Sequence, residues 1–270
     1  MALALTLVHS PLVGPATWDV LAAALSDRGR EAWIPDLTWS VSDGPTYLAG
    51  QVASIVEVVD GRPTILVGHS GAGPLLAAMG ESLGCVEGYV FVDAGLPHPG
   101  RSWFDSAPPE LAEQLDMAIG GWLPPWSQWW GPGGLDELLP DTDIRERFAA
   151  ACPPLPMAMF EEVHPQTPGW PDAPCGYLRL SEPYQKPADR ARALGWPVIE
   201  SASHHLAVPT VCAETKRPGT ARMRSCSMLP ALGRAHDAPL PLHGGQRRRR
   251  PHPREHASPA TTASRTAHHE

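Results

Sequence analysis

The stretch TILVGHSGAGPLLAAM, residues 64–79, carries the residue types best suited to covalent chemistry. An apolar run ends at Gly68, Ser70 follows within a tight turn, and a helix is expected to open near Gly71–Gly73. A serine on a sharp strand-to-helix turn is lifted clear of the sheet, with its oxygen exposed. Small neighbours are needed there because the turn brings backbones close together. The helix N-terminus favours negative charge developing beside the serine. The usual pattern is G-x-S-x-G; here Ala72 takes the last position and Gly73 comes next. The structural alternative is a plain strand–helix turn with no chemistry.

A serine hydroxyl needs a base within hydrogen-bond reach, and the base needs an orienting carboxylate. WPVIESASHHLAV, residues 196–208, offers His204 and His205 after the last expected strand. His205 is preferred because Leu206, Ala207 and Val208 can fix its ring, and His204 is the reserve. For the acid, Glu182 in GYLRLSEPY follows the penultimate strand and precedes the histidines. Asp93 in YVFVDAGLP competes with it, since both end strands at the edge where open α/β sheets build their sites. Glu182 is the first choice by chain order. His69 is expected to point away from the nucleophile's side and serve packing, and His98 and His164 to lie on the surface. No H-E-x-x-H and no paired carboxylates at ligand spacing occur, so no metal and no cofactor are expected.

The elements that must position these groups alternate. Leu5–Val8 reads as a strand, 16–28 as a helix, and 31–35 as a second strand. Tyr47–Val59 is a helix, Thr64–Val67 a strand, Gly73–Leu83 a helix and Gly88–Val92 a strand. Strands separated by helices imply parallel pairing and an α/β fold with helices flanking the sheet. The rhythm breaks over 97–172, a Pro- and Gly-rich stretch that holds six of the ten tryptophans. It has two short candidate helices, Leu111–Ile119 and Asp143–Ala151, and no evident strand. It reads as an insertion into a core made of 1–96 and 173–208. The rhythm returns with a strand at 177–180, a helix at 187–194 and a strand at 197–200.

From residue 209 onward no periodicity survives, and disorder is expected. Residues 209–270 hold eleven Lys/Arg against four Asp/Glu, a net of +7. The rest holds ten against twenty-five, a net of −15, which gives −8 for the chain. An acidic body argues against nucleic-acid binding by the core, while the basic tail could meet an anionic partner. No run approaches the ~18 apolar residues that cross a membrane, and MALALTLV reads as a first strand, not a signal peptide. Five scattered cysteines without a C-x-x-C pair suggest free thiols in the cytoplasm.

Taken in order, VHSPLVGPATW, GHSGAG, FVDAGLP, LRLSEPY and SHHLAV resemble the α/β-hydrolase superfamily over about residues 3–208. Its short members similar to plant methylesterases and hydroxynitrile lyases, and to actinobacterial hydrolases, come nearest. The resemblance implies Ser70 as nucleophile, His205 as base, Glu182 as acid and the Gly71 N–H as one oxyanion donor. It makes 97–172 a cap over the site, with Trp122, Trp126, Trp129 and Trp130 as an apolar lining for a small-molecule substrate. The function implied is a serine hydrolase cleaving a small, largely apolar ester through an acyl-enzyme. The alternatives are a lyase on the same scaffold, or a non-catalytic, degenerate member. Two departures stand out. The family's second oxyanion N–H comes from the residue two after the loop histidine, which here is Pro11 and has none. Leu12 N–H or the Ser10 hydroxyl is therefore the expected substitute. The helix that normally follows the catalytic histidine is replaced by the basic tail, an abrupt change that suggests a shifted reading frame.

Overall fold

The computed structural model describes residues 3–39, 44, 46–106 and 114–209 of the 270. The sheet is built from strands whose residues are apolar on both faces, as parallel strands covered by helices must be. Six of them pair in parallel: β1 (Ala4–Val8), β2 (Ala32–Trp33), β3 (Thr64–His69), β4 (Val86–Val92), β7 (Cys175–Arg179) and β8 (Val198–Glu200). Their order is β2-β1-β3-β4-β7-β8.

The pleat divides the core in two. Ile65, Val67, Val90 and Val92 face one side and pack with Trp18 and with Leu21 and Leu25 of helix α1 (Asp19–Ser26). Leu66, Tyr89 and Phe91 face the other. There they meet Ile55 and Val59 of α2 (Tyr47–Val59), Leu76 and Met79 of α3 (Leu76–Leu83), and Ala188 and Ala191 of α6 (Gln185–Ala193). α2 closes on Asp60 and Gly61, both left-handed.

Three expectations are corrected in detail. β2 pairs over two residues only, since Pro35 has no N–H to continue the ladder. The helix after β3 begins as a 3-10 turn, Ser70–Leu75, because Pro74 cannot donate to an α-helical ladder. The stretch between β4 and β7 does contain strands: β5 (Trp122–Leu123) pairs antiparallel with β6 (Leu155–Pro156). With two residues each, beside prolines 124, 125 and 156, they leave no period-two signal. That stretch also forms α4 (Thr142–Ala151), capped by the Asp141 carboxylate on Ile144 N–H, and the short α5 (Ala158–Glu161). Of the helix expected over Leu111–Ile119, a 3-10 turn at Gln114–Met117 is described and the start lies outside the described residues. The expected disordered tail also lies outside them, from residue 210 onward. No helix among the described residues is long and apolar enough to cross a membrane.

Candidate active site

The six strands of the main sheet are parallel, so the loops that follow them converge on one edge of it. Ser70 follows β3 with φ +57°, a left-handed conformation that costs a non-glycine residue energy and turns its side chain out of the sheet. Two close approaches make the turn possible. A Cβ on Gly71 would lie 2.7 Å from the Ser10 hydroxyl oxygen, and one on Gly73 would fall on the Gly95 carbonyl oxygen. Gly73 thus fills the need that the motif usually meets one residue earlier, and Ala72 is simply buried.

Ser70 Oγ lies 3.0 Å from His205 Nε2, and His205 Nδ1 lies 2.9 Å from Asp93 Oδ2. The acid beside the histidine is therefore Asp93, not Glu182. Asp93 ends β4 in a left-handed turn, φ +43°, a conformation that Asp tolerates better than most residues. Its Oδ1 accepts from Leu180 N–H at 2.7 Å and Ser181 N–H at 3.0 Å, and its Oδ2 from the Ser181 hydroxyl at 2.5 Å. Burial alone would raise its pKa, but the bonds from His205, Ser181 and Leu180 outweigh that and hold the carboxyl below the ordinary carboxylate range. Glu182 is exposed at the start of a 3-10 turn, Glu182–Tyr184, while the Leu180 and Ser181 N–H groups before it donate to Asp93. The signal in the sequence was Asp93-Ala94-Gly95, an acid followed by two residues small enough to lie against the serine turn.

His205, and not His204, reaches the serine; the His204 ring has no hydrogen-bond partner at Nδ1. Leu206 packs with Val13 and Phe148, while Ala207 and Val208 enter the sheet core, so both sides of His205 are anchored. His69 is buried behind it and donates from Nε2 to the His205 carbonyl oxygen at 3.0 Å, leaving Nδ1 bare. Burial, with His205 nearby adding to it, lowers the His69 pKa to about 3, so this ring is a neutral prop. The imidazole of His205 stacks on His69 at 4.6 Å and on Tyr184 at 4.8 Å. Two rings that close cannot share one face, so His205 lies between them. The Tyr184 hydroxyl also lies 3.3 Å from Ser70 Oγ. In the sequence this segment stands out by the carboxylate of Glu182, while Ser181 and Tyr184 beside it carry no signal of their own.

The loop after β1 is fixed by His9, which is fully buried and donates from Nδ1 to the Ser10 carbonyl at 2.8 Å while Nε2 accepts from Leu37 N–H at 3.0 Å. Burial keeps its pKa below the usual value. Leu12 N–H donates to Ser10 Oγ at 3.3 Å, and that hydroxyl oxygen lies beside Gly71. Above this loop, Trp126 packs in the cluster of Val13, Phe148 and Leu206, and Trp129 in that of Leu123, Leu155 and Phe160. Leu12 belongs to the edge of both clusters. Trp122 and Trp130 are about half exposed, 46% and 48%. His98 and His164 are not simple surface residues but stack on each other at 4.5 Å.

Ser70 after β3, Asp93 after β4 and His205 after β8 thus meet at one edge of the sheet. No curated protein matches this sequence. Among solved structures, an extracellular α/β-hydrolase from a Paenibacillus species, described as sharing structural and functional homology with tobacco Salicylic Acid Binding Protein 2, is 20% identical, with a TM-score of 0.62 over 87% of this chain and 99% of that one. A pyrethroid hydrolase from Sphingobium faniae JZ-2 is 18% identical, with a TM-score of 0.59 over 79% and 95%. Tomato methylketone synthase I, solved with 2-tridecanone, is 14% identical, with a TM-score of 0.63 over 87% and 99%. At these identities the likeness is one of fold. The profile of the alpha/beta hydrolase family matches residues 7–217. On that match, which spans most of the sequence and every strand-end loop described above, the chain belongs to the alpha/beta hydrolase family.

Proposed function

We propose that this protein is a serine esterase that cleaves small, largely apolar esters through an acyl-enzyme on Ser70. One observation carries the reading: an unbroken hydrogen-bonded chain from Ser70 Oγ through His205 to a buried Asp93, at 3.0 and 2.9 Å, on a left-handed strand–helix turn. In this reading Asp93 holds His205 with its proton on Nδ1, which leaves Nε2 bare to accept the Ser70 proton during attack. The oxyanion meets the Gly71 N–H, at the head of a helical turn where backbone donors lack partners within the turn, and the Ser10 hydroxyl. Leu12 N–H, by donating to Ser10 Oγ, makes that hydroxyl a better donor. The substrate's acyl part lies under the insertion, against Leu12 and the side of the insertion that holds Trp126 and Trp129, with Trp122 and Trp130 toward the entrance. Among the described residues the thiols of Cys85, Cys152 and Cys175 are free, which suits a cytoplasmic setting.

The absence of a backbone donor at Pro11 favours one further reading, a lyase in which the Ser70–His205 pair moves a proton without a full oxyanion hole. A single experiment separates them. A fluorophosphonate probe should label Ser70, mapped by mass spectrometry, and Ser70→Ala should not label. The same preparation should turn over a simple aryl ester. Labelling that persists in Ser70→Ala ends the assignment of the nucleophile, and labelling without ester turnover favours the lyase.

A further inference from the structure

Tyr184 has no counterpart in the reading above, yet its hydroxyl is 3.3 Å from the nucleophile. Proton bookkeeping fixes what that contact is. His205 Nδ1 donates to Asp93, so Nε2 is the acceptor for the one proton of Ser70. Ser70 Oγ then has only lone pairs to offer, and Tyr184 O–H must be the donor. The direction of approach matters as much. Tyr184 comes from the turn between β7 and α6 and lies flat on His205, with 8° between the rings. Its hydroxyl therefore lies alongside Nε2. Gly71 and Ser10, the groups assigned to the oxyanion, belong to the turns after β3 and β1, where Ser10 Oγ abuts Gly71.

We infer that Tyr184 is a catalytic residue that donates a hydrogen bond to the leaving-group oxygen, so the enzyme is built for esters of poorly departing alcohols. The inference rests on the serine esterase reading. When Ser70 Oγ bonds to the carbonyl carbon, its proton passes to His205 Nε2 and the carbonyl electron pair moves onto the oxyanion. Ser70 Oγ is now an ester-type oxygen and a weak acceptor. Tyr184 O–H turns to the neighbouring alkoxy oxygen, on which charge builds as the carbon–oxygen bond breaks. That oxygen takes the proton from His205 Nε2 and leaves as the alcohol, while Tyr184 keeps its own proton throughout. In deacylation water attacks the acyl carbon, its proton passes to His205 Nε2, and that proton returns to Ser70 Oγ as the acid leaves. Burial, with Asp93 nearby adding to it, pushes the Tyr184 pKa up to about 12, so the donor stays protonated at neutral pH.

The test is Tyr184→Phe, which keeps the ring and its stacking and removes only the hydroxyl. Ethyl and 4-nitrophenyl esters of the same acid are compared, alongside fluorophosphonate labelling. The expected result is a loss of about tenfold to a hundredfold in kcat for the ethyl ester with KM little changed, a loss under about threefold for the nitrophenyl ester, and labelling as in the wild type. Equal losses for both esters, or no loss for either, overturn the role of Tyr184 while the labelling keeps the esterase reading alive. A wild type that neither labels at Ser70 nor cleaves either ester overturns both. Tyr184→Met, which fills the same space without a hydroxyl, serves the same comparison if the Phe variant fails to fold.

Discussion

At the residue scale, Asp93 does more than orient a ring, because it also accepts three bonds that tie the end of β7 to the end of β4. Asp93→Asn should let His205 adopt the wrong tautomer and lower kcat by about 10⁴-fold. Glu182→Gln, on an exposed turn, should change kcat by less than about twofold, and steady-state kinetics on an aryl ester checks both. The two residues looked alike in sequence since each ends a strand at the same edge. What separates them is the left-handed turn at Asp93 and the two backbone N–H groups aimed at it, neither of which a residue type announces. The oxyanion loop yields a pair of opposite expectations. Ser10→Ala should reduce kcat by about 10²-fold, as loss of one donor does, while Pro11→Ala supplies a backbone N–H and should raise it by about tenfold. If Pro11→Ala leaves kcat unchanged, the backbone at 11 faces elsewhere. His205 and Ser70 were legible because their chemistry fixes both type and order along the chain.

At the scale of elements, the serine turn depends on a packing relation more than on its own hydrogen bonds. Gly73 lies so close to the Gly95 carbonyl and to Ala94 that any side chain must push β3's turn away from β4's. Gly73→Ala should therefore destabilise the fold by about 2–4 kcal/mol, read as a lower urea midpoint, and weaken Ser70 labelling in the same preparation. By contrast Gly84, left-handed with open space around it, marks only the end of α3. Helices with strong periodicity were legible to the residue: α2 runs over Tyr47–Val59 as its apolar spacing requires. Over 97–172 the helix expected at 143–151 is found at Thr142–Ala151, while the two-residue strands and the single-turn α5 were not legible because neither lasts long enough to repeat a pattern. Their positions are set by what they cover, for instance α4 lying so close to Gly14 that a Cβ there would meet Ala151.

For the whole molecule, the buried histidines set a pH limit. His9 and His69 are buried and neutral, with pKa values held below the unfolded value of about 6.5, so the unfolded chain binds protons that the folded one excludes. Their contribution is complete above pH 6.5 and declines as pH falls towards their folded values, by about 1.4 kcal/mol per pH unit for each. Asp93, with its lowered pKa, adds a further loss only below the carboxylate range. Urea unfolding should show a clearly lower midpoint at pH 5 than at pH 7, and equal midpoints would mean that both rings are charged in the fold. One short stretch also governs how the molecule can move. Asp93 bonds to His205, Gly95 N–H donates to the Ser70 carbonyl at 3.3 Å, and Ala94 between them exchanges both its backbone groups with the Tyr177 hydroxyl. Nucleophile and base are thus held by a common spacer fastened to the centre of the sheet. Breathing of the outer loops changes what can enter the site, while the gap that a proton must cross stays the same.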